Sequence, residues 1–159
     1  MSNDDVVIKQ SPSTAAIDRL LLPAMAFIAV ALSLFQLYQG VTTELGSTFF
    51  RPIHFSWILI LVFIKYPTIK NPESPLYFIG RLVDVAACGF AIFGGLAAVD
   101  FDYAGIDHLL YGLSEPDFIA GTAMLILTLE ATRRAVGWEM ALIGTVFLAY
   151  CMFGNYLPD

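Results

Sequence analysis

The chain has 159 residues, of which 58% are hydrophobic and only 14% charged. A water-soluble domain carries about 25% charged residues, so too little polar surface is present to coat a globule of this size, and a bilayer is the expected solvent. The net charge of −6 comes with no basic stripe or cluster, which argues against a nucleic-acid partner.

Residues 1–19 read as a short polar cytoplasmic tail, and residues 20–159 as a single membrane domain. Asp4, Asp5 and Asp18 spoil the basic start of a signal peptide, and no small-residue cleavage site follows. The first apolar stretch is therefore expected to stay as an anchor. It runs over about 20–40, with Pro23 placed in its first turn, where a missing N–H is tolerated.

A second stretch at about 50–66 is weaker. Its apolar core, Pro52 to Tyr66, would make only about 22 Å of helix against a hydrocarbon core of about 30 Å. An upstream extension through Phe49 and Phe50, shielding by neighbours, and a buried helix that does not span all remain open. Arg51 and Lys65 mark its ends and can snorkel.

The run PTIKNPESP is a loop. The third stretch, about 79–99, follows it, with Arg81 and Asp84 in its first turns. Residues 75–84 could instead lie flat as a short interfacial helix, with the span starting near Val83. Ala87, Ala91 and Gly95 recur at i+4, with Gly94 and Ala98 adjoining, a stripe that lets helices approach closely without naming the partner.

Residues 100–117 carry five acids and no Lys or Arg. Ser114, Pro116 and Asp117 give the signature of a capped helix start. His108 in this loop is most simply solvated. The fourth stretch, about 117–136, meets the fifth, about 138–157, with almost no connection. One helix over both would be about 60 Å long, so a break is expected at Gly137.

The positive charges orient the whole. With the N-terminus in the cytoplasm, Lys9, Arg19, Lys65, Lys70, Arg81, Arg133 and Arg134 all fall inside, and only Arg51 falls outside. The expectation is an all-α integral membrane protein of about five spans, N-terminus cytoplasmic and C-terminus periplasmic. A second stretch that turned back would invert everything after it.

Few residues offer chemistry. Glu130 can reach Arg133 and Arg134 at i+3 and i+4, with the acid on the favourable N-terminal side. The simplest reading is a neutralised helix end that sets topology and docks a neighbour, with Trp138 at the boundary beside it. A direct part in moving substrate or ions is the alternative, because ionisable residues in spans are functional candidates. Arg81 and Asp84 read as an interfacial ion pair at i+3. Asp84 has no deeper carboxylate in its helix with which to relay protons. Arg51 and His54 share a face at i+3, and one His cannot meet a metal's ligand count. Cys88 and Cys151 read as reduced, apolar side chains. Phosphate-loop, zinc-hydrolase and nucleophile-elbow motifs do not occur, nor do paired mid-span breaks of the transporter type.

The segment from Leu127 to Trp138 (LTLEATRRAVGW), continuing through Phe147–Tyr150 and Phe153–Pro158, resembles the N-terminal small membrane domain of TRAP transporter permeases of the TAXI type. Arg51 to Phe55 resembles the start of that domain's second helix. The likeness is specific over roughly the last thirty residues and looser upstream.

It implies the small (Q-type) subunit or domain of an elevator-type secondary transporter in the bacterial inner membrane. Its role there would be to brace a large (M-type) subunit fed by a periplasmic TAXI substrate-binding protein. Organic acids would be imported on a Na⁺ or H⁺ gradient. Substrate and coupling-ion sites would lie in the large part, leaving this chain without catalytic, cofactor or metal residues. Glu130, Arg133 and Arg134 carry over only as a structural and interface element. A fused permease would continue past Asp159, so the large part is either a separate chain or a continuation of this one. Two alternatives stand: the small membrane subunit of a tripartite tricarboxylate system, expected to end after four spans, and a small integral-membrane enzyme using His54, Asp84 or Glu130.

Overall fold

The computed structural model describes residues 12–42, 44–69, 71 and 74–154, with side chains from residue 23 onward except that of residue 107. Lys9, Lys70 and the stretch 155–159 lie outside the described residues. Every regular element among them is helical: α1 (Pro12–Thr42), α2 (Ser47–Lys65), α3 (Tyr77–Asp100), α4 (Asp107–Tyr111), α5 (Glu115–Ala135) and α6 (Trp138–Phe153). Three segments, Pro23–Thr42, Ser47–Lys65 and Tyr77–Asp100, are long and apolar enough to cross a membrane. α5 matches them in length but carries charges at both ends, and α6 is apolar but has 16 residues.

Three boundaries differ from the sequence reading. α1 starts at Pro12, so Pro23 lies inside the helix and residues 12–19 are helical. Pro12 supplies a preset φ for the first turn, and the following run of Ala, Ile and Leu favours helix strongly enough to carry it through the hydrogen bond that Pro23 removes. α2 takes in Ser47 to Arg51, and its 19 residues give about 28 Å of helix. α3 is continuous from Tyr77, which rules out a separate interfacial helix over 75–84.

The caps follow local chemistry. Ser114 accepts from the Asp117 N–H at 3.4 Å, and its hydroxyl donates to the Asp117 carboxylate at 2.5 Å, with Pro116 in the first turn of α5. At the other end of α5 the Gly137 N–H reaches back to the Thr132 carbonyl at 3.2 Å. Gly137 then turns the chain at φ 131°, ψ 177°, a conformation open in practice to glycine alone. The break between α5 and α6 is thus set by one residue.

α2, α3 and α5 form the centre, with α1 against α2 and α6 against α5. Contacts at both ends make α3 antiparallel to its two neighbours. The core is Leu59 and Phe63 from α2, Ala87 and Ala91 from α3, and Ala131 from α5, with Met124 and Leu127 packed on it. The small-residue stripe of α3 therefore serves two partners. Gly95 lies against Ser56 and the Pro52 carbonyl of α2, and a Cβ there would collide with the Ser56 side chain. Gly94 lies against Met124 of α5.

The outside is apolar on nearly every face. Phe27 is 76% exposed, Phe78 78% and Phe147 67%, among many others. Contiguous apolar surface on this scale is far beyond what water-exposed proteins present.

Gly95→Leu is expected to force α2 and α3 apart and to lower the unfolding temperature of the detergent-purified chain sharply. Gly137→Ala should destabilise it by about 1–3 kcal/mol. Thermal melts of both variants against wild type check this, and an unchanged melt for Gly137→Ala would contradict the strained turn.

Candidate functional site

The charges that the sequence scatters over α3, the 66–68 segment and α5 meet at one end of the bundle. The centre is the Arg134 guanidinium, whose side chain is only 6% exposed. It spends its donors on three separate parts of the chain. Nη1 donates to Asp84 Oδ1 at 2.6 Å and to the Tyr66 carbonyl at 3.1 Å. Nη2 donates to Thr68 Oγ1 at 2.9 Å, and Nε to Glu130 Oε1 at 2.6 Å. Its flat face lies over the Phe63 ring, 4.9 Å from the centroid.

Asp84, 4% exposed, is equally well served. The Thr68 hydroxyl donates to Oδ1 at 2.6 Å, and the Thr68 N–H lies 3.3 and 3.2 Å from the two oxygens. Thr68 thus accepts from the guanidinium and donates to the carboxylate. The Tyr66 carbonyl is an orphan acceptor past the end of α2, and Arg134 satisfies it. Glu130 shares its other contacts with Arg133, at 2.7 Å from both Nε and Nη2. Arg133 in turn stands over Trp138 at 5.0 Å, tying α5 to the start of α6. Two carboxylates face two guanidinium groups, so the cluster is neutral as a whole.

Local sequence explains part of this. Glu130, Arg133 and Arg134 share one helical face because their spacing is i+3 and i+4, and the structure pairs them as that spacing predicts. Asp84 and Arg134 are 50 residues apart, and their pairing corrects the sequence reading. Asp84 does not pair with Arg81. The Arg81 guanidinium instead lies over Tyr77, 5.6 Å from its centroid, with Nε donating to the Tyr77 hydroxyl at 3.2 Å. Asp84 is buried on the face of α3 that carries Ala87 and Ala91, and among the described residues its charged partner is Arg134 of α5.

The remaining candidates are elsewhere. His54 lies at the opposite end, between α1 and α2. It accepts from Gln36 Nε2 at 3.0 Å and stacks on Phe50 at 5.7 Å. Arg51 is exposed, and no contact joins it to His54 among the described residues. His108 is half-buried against Phe101, 5.1 Å between ring centroids, so it is not simply solvated. Ala87 and Ala91 are core, and Gly95 is a helix contact. No group of three metal-ligating side chains occurs among the described residues.

Sequence reasoning missed Phe63, Tyr66 and Thr68, which sit in or beside a stretch read as apolar span and polar loop. It also missed Gln39, a buried amide that clamps the α1–α2 turn by donating to the Leu45 carbonyl and accepting from the Leu45 N–H at 3.1 Å. One signal was available. Asp84 and Arg134 lie at similar depth from the same expected face, which makes them possible partners across helices.

Comparison with protein-family models, curated proteins and solved structures finds no match to this chain.

Chemically, the cluster is a clamp. It joins α2, α3 and α5 with charge-assisted hydrogen bonds, and its acceptors and donors are used on one another. Arg134→Leu strands the Asp84 carboxylate in the bundle and is expected to destabilise the protein by about 3–5 kcal/mol. Arg133→Gln, which touches only the part-exposed Glu130 pair and Trp138, should lose about 1 kcal/mol. Replacing Asp84 and Arg134 together by Leu should recover part of the Arg134→Leu loss. Denaturation of the four proteins in one detergent measures the ranking. Equal losses for Arg133 and Arg134 would contradict the clamp.

Proposed function

We propose that this chain is a non-catalytic scaffold of a multi-pass membrane transporter, the small membrane subunit or domain of a TRAP-type system. The observation that carries this reading is the clamp. Asp84, Glu130, Arg133 and Arg134, the charges nearest the bundle interior, are consumed in holding three helices together. A protein that moves an organic acid or a coupling ion needs ionisable groups that change partners. A rigid brace needs the opposite.

Five spans fit the helices. α5 offers about 31 Å and keeps its charges at its two ends, while α6 begins at Trp138 beside the clamp and runs back along α5. The charge pattern supports an orientation. Lys65, Arg81, Arg133 and Arg134 gather at the clamp end of the bundle, and the acidic residues 100–117 at the other. On the positive-inside rule the clamp end is cytoplasmic, which puts the N-terminus inside and the C-terminus outside, in the bacterial inner membrane. The apolar outer faces of α1 and α6 are then available to lipid and to a large transport subunit. That subunit would carry the substrate and the Na⁺ or H⁺ sites and receive substrate from a periplasmic binding protein.

Purification of the chain from its native membrane in mild detergent is expected to bring a stoichiometric larger membrane chain, or a longer polypeptide that contains this segment. A monodisperse chain that transports or catalyses alone would overturn the reading. Orientation is read separately. In a Cys88→Ser, Cys151→Ser background, Ala104→Cys should react with an impermeant maleimide from the periplasmic side, and Pro75→Cys should not.

A further inference from the structure

At the end opposite the clamp, a cavity of about 700 Å³ opens between α2, α3 and α5. Its size falls within the roughly 300–1,000 Å³ of small-molecule sites. Its polarity is graded. Arg51 and Asp117 stand at its mouth, at the N-terminal ends of α2 and α5. Its walls include the small residues Ala97 and Ala98 from α3 and Ala120 and Gly121 from α5, with Phe55, Phe101 and Leu113 beside them. The lining continues to Met124, seven residues beyond Asp117 in α5, or about 10 Å deeper than the mouth. Small side chains on both walls leave the space unfilled.

The two charges at the mouth are not spent on each other. Among the described residues Arg51 makes no hydrogen bond or ion pair. Asp117 accepts from the Ser114 hydroxyl and pairs with no base. Arg51 is also the one cation among the described lining residues. An apolar cleft under a mouth bearing one cation and one carboxylate, neither in an ion pair, is complementary to a zwitterionic amphiphile.

We propose that this cleft binds a phospholipid of the outer leaflet. Its phosphate lies on the Arg51 guanidinium, its amine faces Asp117, and an acyl chain runs down the walls of Ala97, Ala98, Ala120 and Gly121. A guanidinium fork suits phosphate oxygens, and a low-dielectric rim strengthens the pairing. The helix of a protein partner would fill the apolar part equally well. It would leave the two opposite charges at the mouth without a purpose, which favours the lipid. The proposal rests on the membrane setting and on the orientation proposed above, and not on the transporter reading.

Native mass spectrometry of the full chain tests it, with phosphatidylethanolamine and phosphatidylglycerol of equal chain length titrated into the detergent. Wild type is expected to hold one phosphatidylethanolamine in preference to phosphatidylglycerol. Arg51→Gln should lower its retention roughly tenfold, the effect of losing charge-assisted hydrogen bonds. Gly121→Leu should abolish retention. No atom lies within 4 Å of a Cβ built at Gly121, so the added side chain starts into open space, and with leucine's higher helix propensity the melting temperature is expected to hold. Asp117→Asn should keep lipid binding but erase the preference between headgroups. Equal retention in wild type, Arg51→Gln and Gly121→Leu would overturn the proposal. So would a lipid-free wild type that co-purifies with a protein chain lost in both variants, which would assign the cleft to a partner helix.

Discussion

A guanidinium buried among helices has to keep its charge balanced and its donors occupied, and Arg134 does both by reaching three separate parts of the chain. Its partners are an acid on α3, an acid on its own helix, a hydroxyl just past α2 and a carbonyl at the end of α2. Removing such a group from water is expensive unless every partner is in place. The arrangement therefore fixes more than one contact. It sets where α2 stops, how deep α3 sits, and which face of α5 turns inward. The 66–69 segment folds back onto the bundle because Thr68 bridges the acid and the base.

The clamp would not hold without the close packing above it. Ala87 and Ala91 leave no bulk between α3 and its neighbours, so that Asp84 and Arg134 can meet at 2.6 Å. Further along, Gly94 and Gly95 let α5 and α2 close on α3 from two sides. Where apolar surroundings weaken the drive to bury side chains, close backbone approach and interhelical hydrogen bonds do the work of a large-residue core. The two ends then differ in kind. The clamp end is charged, neutral in sum and closed. The other end is open, with its opposite charges apart and a cavity between them.

The sequence alone was sufficient for much of what is local or statistical. Composition identified an apolar all-helical chain. The cap at Ser114, the break at Gly137 and the pairing of Glu130 with its two arginines each follow from residues at most five apart, and they are found where they were read. The start of α1 was misplaced because Pro23 was taken as a boundary, whereas the helix formers before it extend the helix through the proline. The gathering of basic residues at one end also followed from sequence, because alternating helix directions bring alternate connections to the same side.

What only the tertiary structure decided is which distant residues meet. Arg81 was the nearest base to Asp84 in sequence, yet Asp84 faces inward beside the alanine stripe, and its partner comes from α5 fifty residues later. Thr68 looked like part of a polar connection until the end of α2 and the depth of α3 placed it between two charges. The cleft beneath Arg51 is a space between three helices, and no single segment encodes a space. Short-range hydrogen bonding, propensity and hydropathy act along the chain and can be read there. Pairing across helices depends on their relative depth and rotation, which only the packing of α2, α3 and α5 together determines.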